Sequence, residues 1–295
     1  MDRVTKTEER NINTVDIDVS SSLEIARMIN NEDKKIASIV ETQLDKISEV
    51  IDLANNAFRN GGRVLYFGAG TSGRLGILDA SEIYPTFSES GLFEGYIAGG
   101  EKALRNPVEG AEDNEELGLE DLILSAKATD KDIVVTISAS GNPKYLTSII
   151  SRAREIGAKT VAIKCNPKSE IGRLSDINIC TIVGPEAITG SSRMKAGTSQ
   201  KMILNMISTG ALVKYGKTYG NLMVDVKALN SKLVDRSARI VSDISGCTYE
   251  KAKEVLEKTN YNVKRSIVMI VKNCDEEFAV KLLKSENDIL RKVIG

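Results

Sequence analysis

The stretch RVLYFGAGTSGRLGILDASE, residues 63–82, gathers several groups that could do chemistry. Gly68, Gly70 and Gly73 stand in G-x-G-x-x-G spacing, Thr71 and Ser72 add hydroxyls, and Glu82 adds a carboxylate a short helix later. Glycines at a strand-to-helix turn bring backbone N–H groups close to a phosphate. The dinucleotide form of this loop needs an acidic residue about 20 positions on, at the end of the next strand, to hold a ribose. That region falls at 93–98, where Glu94 stands at the entrance of the expected strand and Glu101 beyond its end. Neither fits. The hydroxyls of Thr71 and Ser72 suit a single phosphate dianion better. A second loop, TISASG, repeats the character with Ser138 and Ser140, and a third segment, TGSSRMKAGTSQK (189–201), adds Ser191, Ser192, Arg193 and Lys195 before a long helix. Taken one at a time, such hydroxyls also serve as helix N-caps, and the third segment also reads as a solvated basic loop.

The chain has no histidine. Ser-His and Cys-His nucleophile pairs and the commonest neutral-pH general base are therefore excluded, which leaves proton transfer to carboxylates, Lys or Tyr. Basic and acidic side chains number 40 and 41, and no basic cluster is interleaved with aromatics, so neither nucleic acid nor a membrane surface is an expected partner. Four widely spaced cysteines form no C-x-x-C pair, and no disulfide framework or structural zinc is expected. Apolar runs stay well short of the roughly 20 residues of a membrane span. The N-terminus is too polar for a signal peptide, so the expected location is the cytoplasm.

These residues need elements to position them. Residues 1–20 read as an extended polar arm, and 22–60 as helix, with apolar residues at three- and four-residue intervals up to Gly61 and Gly62. Five short apolar runs follow at 63–70, 93–100, 132–140, 159–165 and 177–183, with helical stretches between several of them. That alternation predicts an α/β, doubly wound parallel sheet covered on both faces, with its ligands at the carboxyl ends of the strands. A long helix is expected at 196–214. The remainder reads as helical, with a domain boundary near 240: an α/β domain that binds a phosphorylated metabolite over 1–240 and a small three-helix domain over 241–295.

Taken together, GAGTSGRLG…DASE, IAGG…ALR…VEGAED, ISASG, GPEAITGSSRMKAGTSQK and GNLMVDV, with TEERN near the start, resemble the N-acetylmuramic acid 6-phosphate etherase family. The resemblance runs in order from about residue 7 to 226, and the helical tail is compatible with that family's small C-terminal domain. It implies a sugar isomerase (SIS) fold. It also implies removal of the D-lactyl ether from N-acetylmuramic acid 6-phosphate in the recovery of cell-wall sugar, without metal or organic cofactor, by a homodimer whose sites are completed by the neighbouring subunit. By the same resemblance Glu82 becomes the acid that protonates departing lactate and Glu112 its partner base. The phosphate passes to Thr71, Ser72, Ser138 and Ser140, with Gly70, Ser191, Ser192 and Lys195 as further substrate contacts. Without it, Glu82 reads as a helix-surface carboxylate and Glu112 as one of many in EGAEDNEELGLED. The chain departs from the family after SASG, where an Arg-Thr-Pro-like run is expected and NPK is found, so that Pro143 replaces a phosphate-facing hydroxyl. An aldose–ketose phosphosugar isomerase and a phosphosugar-sensing regulator without chemistry are the competing readings.

Overall fold

The computed structural model describes residues 8–226 and 231–295. The apolar runs form β1 (Val64–Gly68), β2 (Phe93–Ile97), β3 (Ile133–Ser138), β4 (Lys159–Lys164) and β5 (Ile177–Cys180). Every residue of β1 and β3 is buried, as is β4 from Thr160 onward, the pattern of strands covered on both faces. All neighbouring pairs are parallel, in the order β2-β1-β3-β4-β5. The register sets Gly68 beside Ile97 on one side and Ile137 on the other. The doubly wound expectation holds, and the order reverses between β1 and β3.

Three helices precede the sheet, α1 (Ser22–Asp33), α2 (Ile36–Glu41) and α3 (Leu44–Arg59), where the periodicity predicts one continuous pattern. The break before α3 has a visible cause. Gln43 leaves the helix and its Oε1 accepts the Cys180 N–H of the edge strand β5 at 3.0 Å. The helix α4 (Gly70–Ser81) crosses β1 and β2, α6 (Gly100–Arg105) follows β2, and α7 (Glu115–Glu120), α8 (Lys144–Ile156) and α9 (Glu170–Leu174) share a core with Leu65, Phe67 and Val134. Two of the three loop glycines are packing devices. A Cβ on Gly68 would lie 2.5 Å from the Gly73 nitrogen, and one on Gly73 would lie 2.6 Å from Ile97 Cγ1.

The extended arm is a correction. Residues 12–14 and 17–19 form short 3-10 turns, because Asn11 Nδ2 donates to the Pro185 carbonyl at 3.0 Å and Thr14 Oγ1 to that of Ala187 at 2.8 Å. Residues 1–7 lie outside the described ones. The domain boundary also differs from the expected one. The first compact unit comprises residues up to Ser81 with Gly91–Gly210, and the second comprises Glu82–Ser90 with Ala211–Gly295. The second unit holds α5 (Ile83–Phe87) and a hairpin of β6 (Thr218–Tyr219) and β7 (Leu222–Met223). It also holds α11 (Ser231–Ser245), α12 (Tyr249–Lys258), α13 (Val263–Lys272), α14 (Glu276–Ser285) and α15 (Leu290–Ile294). The boundary moves forward because Val224 and the α11 residues Ala238 and Val241 join one core with Leu256, Ile267 and Leu283. Among the described residues no helix is long and apolar enough to cross a membrane, and the four cysteines are free thiols.

Candidate active site

Where the strand order of a doubly wound sheet reverses, the connections from two adjacent strands leave toward opposite faces and open a crevice at their carboxyl ends. Here that point lies between β1 and β3, followed by the loops carrying Gly70–Ser72 and Ser138–Gly141. Gly70 has φ +55° and open space where its Cβ would be, so the backbone there is bare. It begins α4, whose first N–H groups point out of the helix end. Ser138 is buried; its Oγ accepts the Gly141 N–H at 3.0 Å and lies 3.4 Å from Ser140 Oγ. Pro143 is buried at the N-cap position of α8, and its carbonyl accepts the Leu146 and Thr147 N–H groups. The position lacking a hydroxyl is thus a helix start.

The third segment reaches the first loop. A Cβ on Gly197 would lie 3.5 Å from Thr71 Cγ2 and 3.8 Å from the Ser192 carbonyl. Ser191 and Ser192 are half-buried in the turn before α10 (Lys195–Tyr215). The Ser72 hydroxyl points inward and donates to Gln200 Oε1 at 2.9 Å, which commits its side chain to the interior. Lys195 requires a larger correction. Its ammonium is turned into the interior, 2.5 Å from Glu32 Oε2, and the residue is 2% exposed, where a substrate cation would face the open loop. The segment is held from beneath by Glu186, fully buried, whose carboxylate accepts the Lys195 and Ala196 N–H groups. Burial raises the Glu186 pKa against those hydrogen bonds.

Glu112 sits on a 3-10 turn, Ala111–Asp113, entered through Gly110 at φ +71°. Ala111 is buried in the core of α8, which pins the turn and leaves Glu112 exposed. Alongside, Gly110, Asp113–Glu116 and Lys144 line a cavity of about 550 Å³, which brings this turn to the start of α8. Glu82 is exposed at the N-cap position of α5 and belongs to the second unit.

Sequence pattern does not reveal Glu32 and Gln200, whose partners lie far along the chain, nor Glu186, which acts on the backbone N–H groups of Lys195 and Ala196. The motif TEERN stands near the start of the chain. Glu8 of that motif has a carboxylate oxygen 2.9 Å from where a Gly190 Cβ would be, against the third segment.

Family models described as the glucokinase regulatory protein N-terminal SIS domain, the SIS domain, and the C-terminal lid domain of glucokinase regulatory protein match residues 46–154, 116–209 and 220–290. A Clostridium botulinum (strain Okra / Type B1) protein named N-acetylmuramic acid 6-phosphate etherase is 50% identical over 289 residues, covering 98% of this chain and 95% of its own. A Vibrio atlanticus (strain LGP32) protein of the same name is 48% identical over 288 residues, covering 97% and 94%. Among solved structures, a phosphoheptose isomerase from Francisella tularensis aligns with a TM-score of 0.51 at 15% identity, covering 65% of this chain and 98% of that one. At that identity the likeness concerns the fold alone.

Proposed function

Because the chain belongs to the N-acetylmuramic acid 6-phosphate etherase family, we propose that it cleaves the D-lactyl ether of N-acetylmuramic acid 6-phosphate, giving N-acetylglucosamine 6-phosphate and D-lactate. The observation that carries this reading in the structure is the meeting of the α4 start with the Ser138–Gly141 loop at the β1/β3 reversal, a cradle for a sugar phosphate. Thr71, Ser138, Ser140 and the N–H groups of Gly70 and Ser72 are its proposed phosphate contacts. Ser191 and Ser192 are proposed contacts to the rest of the sugar.

In the open-chain sugar the C2 proton is acidified by the C1 aldehyde, and lactate at C3 is a beta leaving group. A base removes the C2 proton, the C3–O bond breaks as C2=C3 forms, and an acid protonates the departing ether oxygen. Water then adds its hydroxide at C3 and a proton returns to C2. The net change is substrate plus water to amino-sugar phosphate plus lactate. We assign Glu82 as the acid and Glu112 as the base; two carboxylates in different surroundings can carry every proton transfer. We further propose that the enzyme works in the cytoplasm in cell-wall sugar recycling, and as a homodimer. The groove between α3 and α10, lined by Leu44, Ile47, Ile51, Met202 and Met206, offers an apolar surface for a second copy. Light scattering should then give twice the chain mass.

The test is release of D-lactate from N-acetylmuramic acid 6-phosphate by the purified protein. Release without added metal or cofactor is expected. No release between pH 6 and 9 overturns the reading, and conversion of a hexose 6-phosphate to its ketose would replace it with the isomerase.

A further inference from the structure

The segment Glu82–Ser90 groups with the second unit, is buried along one side of its helix, and is tied to that unit by charge. Ile83 and Phe87 are buried, one turn apart on α5, and Ser88 ends the helix in the left-handed region with φ 54°. The next residue, Glu89, pairs through its carboxylate with the Lys217 ammonium. From there the charges alternate through the unit. Lys217 Nζ lies 3.6 Å from Asp225 Oδ2, which lies 2.7 Å from Lys264 Nζ, which in turn meets Asp288 Oδ2 at 2.8 Å and its carbonyl at 2.9 Å. Lys264 is 2% exposed and Lys217 8%, so these are not solvated surface pairs. Burial opposes charge on Lys217, yet Asp225 and Glu89 outweigh it and its pKa is raised.

A cavity of about 450 Å³ runs along this chain, lined by Phe87, Ser88, Glu89, Lys217, Asp225 and Tyr261 among others. Phe87, Ser88 and Glu89 form one wall of this cavity, so on that side the segment is held by charge and not by packing. Asp225 comes from GNLMVDV, a motif to which neither the phosphate contacts nor the proton transfers assign a task.

We infer that Lys217 is a positioning residue for Glu82, holding the 82–90 segment in register through Glu89 while Asp225 and Lys264 anchor Lys217 from behind. This rests on the reading of Glu82 as the acid. Misplacement of a reacting group by about 1 Å can cost on the order of 10²-fold in rate, so a tether seven residues away is enough to matter.

The test is steady-state kinetics of lactate release with Lys217→Met, Glu89→Gln, the double variant and Lys217→Arg, each with its thermal midpoint. The expected result is a fall in kcat of about tenfold to a hundredfold for either single change, with KM within about threefold. The double variant should be no worse than the poorer single one, because both cut the same tie. Lys217→Arg should recover most of the rate, and the basic limb of the kcat–pH profile should shift in Lys217→Met, as it does when a general acid loses its setting. Multiplicative losses in the double variant, or an unshifted profile with loss of rate that follows the thermal midpoint, overturn the inference. Glu82→Gln separates the two readings. If it retains full activity the acid assignment fails by itself, whereas an inactive Glu82→Gln beside a fully active Lys217→Met overturns only the tether.

Discussion

The Lys195 ammonium lies 2.5 Å from Glu32 Oε2, both side chains almost wholly buried, and Glu32 also receives Lys35 at 2.5 Å and Asn13 Nδ2 at 2.9 Å. This pair joins α1 to the start of α10, directly beneath the turn that carries Ser191 and Ser192. Removing one partner of a buried pair leaves an uncompensated charge, at a cost of about 3–5 kcal/mol. Lys195→Met should therefore lower the thermal midpoint by several degrees, seen by calorimetry. A raised KM with an unchanged midpoint would return Lys195 to the substrate.

Acid should act on the same pair. Burial by itself would raise the Glu32 pKa, but Lys195, Lys35 and Asn13 together bring it down from 4.5 to about 2. A carboxylate whose folded pKa is depressed adds stability that is fully present above the unfolded pKa and lost as pH falls through the folded one. The Glu32 contribution is thus complete above about pH 5 and fades between pH 4.5 and 2. Glu32→Gln should be less stable than the parent at pH 7 and converge with it near pH 2 in denaturant titrations.

Asp79 presents the opposite sign. Its Oδ1 accepts from Asn205 Nδ2 at 2.7 Å and Ser208 Oγ at 3.1 Å, while Oδ2 faces the buried Tyr66 hydroxyl and, among the described residues, receives no hydrogen bond of ordinary length. Burial raises the Asp79 pKa despite those bonds, so its charged form costs the fold stability as pH rises above 3.8. An asparagine keeps the oxygen that accepts and replaces Oδ2 with a donor. Asp79→Asn should raise the thermal midpoint at pH 7 by a few degrees, about 1 kcal/mol, with a smaller gain at pH 4. A lower midpoint at pH 7 would show that the charge is needed.

The two hydroxyls of the first loop should separate. Thr71 stands at the α4 start, whereas the Ser72 hydroxyl is committed to Gln200. Thr71→Val should raise KM about tenfold with the midpoint unchanged, the worth of one charge-assisted hydrogen bond. Ser72→Ala should leave KM nearly as it was and lower stability by about 1–3 kcal/mol, because Gln200 loses its donor inside the protein. The reverse pattern would mean that Ser72 turns outward to the substrate.

Glu82→Gln and Glu112→Gln should each cut kcat by about 10²–10⁴-fold without unfolding, since both side chains are exposed. The base variant should also lose exchange of the product's C2 proton with heavy water, measured by NMR, while the acid variant keeps it. Exchange retained by Glu112→Gln and lost by Glu82→Gln would invert the assignment.

The strands were legible because a parallel sheet buries both faces and writes each strand as an unbroken apolar run, such as VLYFG and IVVTIS. The loops after β1 and β3 followed from the strand positions. What local pattern could not reveal was direction. Lys195 looks like any loop cation until Glu32, 163 residues away, is brought beneath it, and Ser72 looks like Thr71 until Gln200 arrives from α10. The unit boundary was missed for a similar reason. The helical period of 231–245 is plain, but its core partners lie on both sides of the expected cut. The G-x-G-x-x-G spacing was readable and its meaning was not. Two of its glycines let α4 close onto the sheet, and only Gly70 leaves backbone bare.

The excursion of residues 82–90 into the second unit has a consequence for how this chain can be cut and recombined. A fragment ending at Gly210 would keep Glu89 without Lys217, and a fragment starting at Ala211 would keep Lys217 without Glu89. Neither half is a transplantable module. Insertion or loss of either piece by genetic exchange would have to move two separate stretches of gene together, which ties the inheritance of the helical unit to that of the sheet.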